Sequence, residues 1–91
     1  MSTNEYHIAS FIAQVMPKYV KHIVALIEKN PQMEVHAIED SGKIIFTAED
    51  TSQALISEHA DAIKQHPYVL TLSPVYHQFI NENDLSQAGE I

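Results

Sequence analysis

The chain has no cysteine, no arginine and only two glycines in 91 residues. Lack of cysteine excludes disulfides, thiolate zinc sites, iron–sulfur clusters and cysteine nucleophiles. Lack of arginine removes the planar fork that holds carboxylates and phosphates bidentately. Gly42 and Gly89 stand far apart, so there is no glycine-rich loop to cradle a phosphate. No apolar run approaches the roughly 20 residues that a membrane helix needs. The opening MSTNEYHIAS carries neither a basic region nor a cleavable hydrophobic segment, so no secretory signal is visible. These absences lead to the expectation of a soluble, cytoplasmic protein without stable membrane insertion.

What is present is a compact apolar fraction and a strong negative charge. Hydrophobic residues make up 45% of the chain, while glycine and proline together number only six. A single small domain is expected over residues 1–80, burying about 60–65% of its unfolded surface. The polar, acidic residues 81–91 are expected to form a disordered tail. Five lysines against twelve acids give a formal net charge of −7. Such a surface repels phosphates, which excludes nucleic acid as a partner. Its field favours cationic partners instead.

Read along the chain, YHIASFIAQVM (6–16) is apolar on both alternating sets and reads as a central strand. Pro17 opens a helix whose stripe is Val20, Ile23, Val24 and Ile27, and Asn30-Pro31 stops it. MEVHAIED is a second strand, turned through Asp40-Ser41-Gly42-Lys43 into a third, KIIFTAED. Asp50 with Gln53 suggests a capping box for a second helix, striped by Leu55, Ile56, Ala60 and Ile63. After His66-Pro67 the last strand is YVLTLSPVYHQF, with a frayed tail expected beyond Phe79. The order βαββαβ predicts an α+β, ferredoxin-like fold. It is a four-stranded antiparallel sheet with both helices on one face and the other face open.

Strand parity then assigns residues to faces. Ala9, Phe11, Ala13 and Val15 are expected against the helices; Tyr6, Ile8, Ser10, Ile12 and Gln14 outward. In the second strand, Glu34, His36 and Ile38 are expected outward, opposite Met33, Val35 and Ala37. In the last, Leu70 and Leu72 are expected in the core. Val69, Thr71, Ser73, Val75 and His77 are expected outward, and Tyr76 on the helix side. Pro74 is where this parity can slip, because proline in a strand marks a bulge or an edge.

The candidate chemistry is thin. Six histidines, at 7, 22, 36, 59, 66 and 77, are scattered over every element without the tight spacings of a zinc site, so no metal and no cofactor are expected. The serines lie outside any nucleophile-elbow context, and the acidic pairs Glu39-Asp40 and Glu49-Asp50 sit at strand ends as solvated charge. Other users of this topology need residues that are missing here. Acylphosphatases need arginine, heavy-metal carriers need a Cys-x-x-Cys motif, and RNA-recognition modules need basic and aromatic sheet residues. The expectation is a non-enzymatic protein whose open face or edge binds something apolar or cationic.

The ending carried by Val69, Leu70, Ser73, Val75, Tyr76, His77 and Gln78 is a specific signature. With the opening HIASFIAQV and the glycine-containing turn before an aliphatic third strand, it resembles the NapD family over roughly residues 5–79. Pro74 stands where other members have an aliphatic residue. The resemblance implies a monomeric cytoplasmic chaperone for the periplasmic nitrate reductase. Its partner would be the twin-arginine signal peptide of the catalytic subunit, held from export until the molybdenum cofactor is inserted. Such a signal carries two adjacent arginines and then an apolar stretch. On this reading the peptide meets Tyr6, Ile8, Ser10, Ile12, Glu34, His36, Ser73, Val75, Tyr76, His77 and Gln78. Glu34, Glu39 and Glu49 are the candidate arginine partners, with Glu34 first by parity. The helix-on-face mode is favoured over strand addition at an edge, because Pro74 blunts the last strand. The alternative is an ACT-like small-molecule regulatory or oligomerisation domain. Against the ACT reading stands the first strand–helix loop, VMPKY, which has no glycine.

Overall fold

The computed structural model describes residues 5–81, and within them the side chains of residues 6–75. The chain forms β1 (Glu5–Val15), a 3₁₀ turn (Pro17–Tyr19), α1 (Val20–Glu28), β2 (Met33–Ile38), β3 (Lys43–Asp50), α2 (Gln53–Lys64) and β4 (Val69–Asn81). The strands lie in the order β2-β3-β1-β4, each antiparallel to its neighbour. This is the expected ferredoxin-like arrangement, with β1 and β3 central and β2 and β4 at the edges. Pairing of β4 with β1 continues to Asn81 opposite Glu5, so Ile80 and Asn81 belong to the strand rather than to a tail. The rest of the expected tail lies outside the described residues.

One face of the sheet carries the core. Ala9, Phe11, Ala13 and Val15 of β1 meet Ile44, Phe46 and Ala48 of β3 beneath Ile23 and Ile27 of α1 and Ile56, Ala60 and Ile63 of α2. Phe46 is fully buried and stacks on Phe11, the ring centroids 5.4 Å apart. Burying such a side chain contributes about 1.5–3 kcal/mol. Proline occupies the start of the 3₁₀ turn rather than of α1 itself, where its fixed φ and missing N–H are tolerated. The second helix is capped by Ser52, whose Oγ accepts the Leu55 N–H at 3.2 Å. Asp50, expected in that role, lies instead at the end of β3 and is engaged elsewhere.

Gly42 closes the β2–β3 turn with φ +105°, and its carbonyl accepts the Val15 N–H at 2.8 Å. A Cβ there would run into the Val15 carbonyl oxygen. Only glycine satisfies both the left-handed backbone and the close approach of β1.

The two central strands pair residue for residue from His7↔Asp50 to Gln14↔Lys43. Register shifts fall only on pairings that involve an edge strand, and they correct the expected parity there. In β2, Val35 pairs with Phe46 but Ala37 with Ile45, which makes His36 the extra residue of a bulge. Ile38 thus falls opposite buried Ile44 and lines a groove with Val20 and Val24 of α1, while Ala37 joins the open-face register. In β4, Val69 pairs with Val15 and Thr71 with Gln14. Val69 therefore packs on the core, and Leu70, expected inside, is the extra residue at 60% exposure. A second bulge follows Pro74, which pairs with Phe11, and leaves Val75 extra and 58% exposed.

Candidate functional site

The face opposite the helices has no element of the described chain over it. Across its centre the register pairs Ile8 with Glu49, Ser10 with Thr47, Ile12 with Ile45 and Gln14 with Lys43. All eight side chains are half-buried, shielded by their neighbours but not by a second layer. Tyr6 extends the row at 44% exposure. On the flanks, Glu34 sits opposite Thr47, Ser73 opposite Ile12 and Thr71 opposite Gln14. Ile12 and Ile45 thus form an apolar pair flanked by Ser73, and the hydroxyls of Ser10 and Thr47 separate it from Ile8. Ile45 and Thr47, absent from the residues expected at the site, complete this surface together with Glu49, which was expected only as a candidate arginine partner. The strict alternation of KIIFTAED, with Ile44, Phe46 and Ala48 buried, was the signal that could have placed them there.

His36 rests on this face through its ring nitrogen Nε2, 2.8 Å from the Thr47 hydroxyl. Glu34 is exposed, and neither it nor Glu49 has an ion-pair partner among the described residues. Glu39, the third candidate carboxylate, is at the opposite end, 4.0 Å from Lys43 in an exposed pair. That pair is worth little by itself. The structure therefore brings together Tyr6, Ile8, Ser10, Ile12, Glu34, His36 and Ser73, with Val75 at the edge bulge.

The bulge after Pro74 also reverses the register expected for the signature ending. Tyr76 pairs with Ser10, His77 with Ala9 and Gln78 with Ile8. His77 thus occupies a register position opposite the core set of β1 and Tyr76 one opposite the outward set, the inverse of the expected parity. Their side chains lie outside those described. Among the described residues no group of three His, Asp or Glu side chains could hold a metal ion.

Beneath the acidic end of the face, on the helix side, a polar chain fixes the strand termini. Asn30 Oδ1 accepts the Gln32 N–H at 2.8 Å, which turns its amide nitrogen toward His59 Nδ1 at 3.0 Å. His59 therefore donates through Nε2 to Asp50 Oδ2, 2.9 Å away. This bond, with the Thr51 N–H at 2.7 Å, holds the Asp50 carboxyl below the ordinary carboxylate range. Gln32 in turn donates to the Glu49 carbonyl at 3.0 Å and accepts the Glu49 N–H at 2.9 Å. The chain Asp50–His59–Asn30–Gln32 so pins the backbone that carries Glu49.

Comparison with known proteins agrees with this geometry. The family model described as NapD protein matches residues 6–80. The chain is similar to the solution structure of the E. coli Tat proofreading chaperone protein NapD, with a TM-score of 0.75 and 25% sequence identity. The likeness covers 86% of this chain and 82% of that one. No curated protein matches the chain by sequence.

Proposed function

Because this chain belongs to the NapD family, we propose that it is a cytoplasmic, non-enzymatic chaperone that binds a twin-arginine signal peptide on the open face of its sheet. The peptide is that of the nitrate reductase catalytic subunit, and its capture delays export until the molybdenum cofactor is in place. One observation carries this reading beyond the family match. The face opposite the helices joins half-buried isoleucines to two carboxylates that have no ion-pair partner among the described residues, in a chain with no arginine of its own. Its two chemistries are those of the ligand, since isoleucine accepts an apolar segment and carboxylate accepts guanidinium.

The peptide lies on the face rather than adding to an edge. Both edges are interrupted by bulges, and β4 also carries Pro74, so neither offers a long regular row of free backbone groups. Tyr6, Ile8, Ser10, Ile12, Glu34, His36, Ser73 and Val75 meet the ligand, joined by Tyr76 and Gln78, whose register positions at the end of β4 pair with Ser10 and Ile8. The test is calorimetry of the purified chain with the synthetic signal peptide at low salt, followed residue by residue by NMR. Binding heat with shifts on Ile8, Ile12, Ile45 and Thr47 is the expected result. No heat, or shifts confined to the helices, overturns the proposal.

A further inference from the structure

From the order of charges along α1, we infer that the groove between α1 and β2 is a self-association surface. A second copy of this chain packs there, its α1 antiparallel to the first. Such a dimer differs from the monomer that the family resemblance implies. It forms on the helix side of the sheet and does not depend on the peptide-binding reading.

α1 carries its groove-side charges against its own dipole. The N-terminal end of a helix is positive and is stabilised by acids; the C-terminal end is negative and is stabilised by bases. Here the first turn holds no acid and the last turn no base. Instead Lys21 lies in the first turn, and Glu28 closes the last. Both line the same groove. They stand about 10 Å apart along the helix axis, too far to pair with one another. Neither has an ion-pair partner among the described residues. Lys29, which does suit the dipole, is the C-cap and does not line the groove.

A second α1 running the opposite way makes each of these charges favourable. Midway between Lys21 and Glu28 lie Val24 and Ala25. A two-fold axis at that point sets each Lys21 opposite the partner's Glu28 and aligns the two dipoles head to tail. The middle of the strip is apolar, as such a contact needs. Val20 and Val24 are half-buried, Ala25 is exposed, and Ile38 of β2 is 50% exposed beside them. The small side chain of Ala25 permits a close interaxial distance, about 8 Å at the short end of the usual range. The balance of charge also selects this occupant over another protein. Lys18 and Lys21 share their end of the groove with Asp40, which offsets one of them, and Glu28 stands at the other end. The groove is therefore neutral as a whole and attracts neither an acidic nor a basic ligand, yet it complements itself when turned about a two-fold. The strip is smaller than the roughly 20–30 residues a side of a standard interface, so association is weak and shows only at high concentration.

Sedimentation velocity of the full chain at low salt, from about 10 μM to about 1 mM, tests the dimer. The weight-average coefficient should rise with concentration, and rise less at high salt. A constant monomer value overturns the inference. Lys21→Glu and Glu28→Lys each give α1 the order that its dipole prefers, so each variant should unfold in urea no earlier than the parent. Each also sets like charges face to face across the two-fold, and should weaken self-association by at least about ten-fold. Loss of association without loss of stability separates an interface from a structural role. Mixing the two single variants should restore association as a one-to-one heterodimer, and combining both substitutions in one chain should restore the homodimer. A dimer indifferent to the single substitutions overturns the inference, because its interface then lies elsewhere. Single variants that fail to pair when mixed overturn the antiparallel arrangement and the inference with it.

Discussion

Along β1, Ala9, Phe11, Ala13 and Val15 disappear beneath the helices, while Ile8, Ser10, Ile12 and Gln14, each one residue away, remain partly open to solvent. The same alternation runs through β3, where Ile44, Phe46 and Ala48 are buried and Ile45, Thr47 and Glu49 are not. One strand pair therefore faces two ways, and among the described residues only the helices cover it, on one side. On the covered face, apolar area is already removed from water and contributes to folding. On the open face, the isoleucines retain area whose removal from water awaits a partner. Substitutions on the first should change stability, and those on the second should change binding.

The sharpest way to break this division is at Phe46. Phe46→Ala leaves a void under both helices and should cost about 3–5 kcal/mol, read as a shift in the urea midpoint. The molecules that remain folded should bind the peptide normally. If affinity per folded molecule falls in step with stability, the two faces are not separable. The reciprocal change is Ile12→Glu. It places a carboxylate where a desolvated contact is expected, so affinity should drop by about ten- to a hundred-fold. Stability should move by less than about 1 kcal/mol, the span of strand propensity. Normal binding by this variant would place the peptide elsewhere.

How much of this was legible in the sequence follows the same geometry, but along the sheet rather than through it. For the central strand β1, strict alternation predicts the faces, because a neighbour on each side leaves no slack in the register. At the edges it fails. His36, Leu70 and Val75 are extra residues opposite a single partner, a geometry the edge tolerates because one side of the strand is unpaired. Pro74 signals the second β4 bulge in the sequence, whereas nothing in MEVHAI or YVLTL signals the other two. The candidate site was legible through β1, Glu34 and Ser73. Its share of β3 followed from alternation that the sequence reading left unused. The Asp50–His59–Asn30 chain joins residues 29 and 9 apart and has no local pattern to announce it.

That chain gives a smaller, pH-dependent effect on the covered side. The folded-state pKa of Asp50 is lowered from 3.8, so the group contributes stability that is fully present above that value. The contribution is lost as pH falls through the folded pKa. The stability gap between the parent chain and Asp50→Asn should therefore be constant near neutrality and shrink in acid, from about pH 5 down to about pH 3. Urea midpoints across that range measure it. A gap that widens in acid would mean that the His59 bond does not favour the ionised carboxylate.

The smallest effect distinguishes contact from field at the acidic end of the open face. Replacing the peptide's two arginines by lysines preserves charge but removes the planar fork. If a carboxylate pairs directly with a guanidinium, the swap should cost about 1–3 kcal/mol. If the acids act only at long range, both peptides should bind alike and weaken together as salt rises. Glu34 is the first residue to examine, because it is exposed on the open-face register and has no ion-pair partner among the described residues. Glu34→Gln keeps the shape and removes the charge, so the arginine-over-lysine margin should shrink, by about 1 kcal/mol for one charge-assisted bond. A variant that keeps the full margin excludes Glu34 as the arginine partner. Glu49 then becomes the candidate, since its backbone is held by Gln32 and its carboxylate stands beside Ile8. Should Glu49→Gln also keep the margin, guanidinium recognition does not occur at this end of the sheet, and acidity here only steers the peptide in.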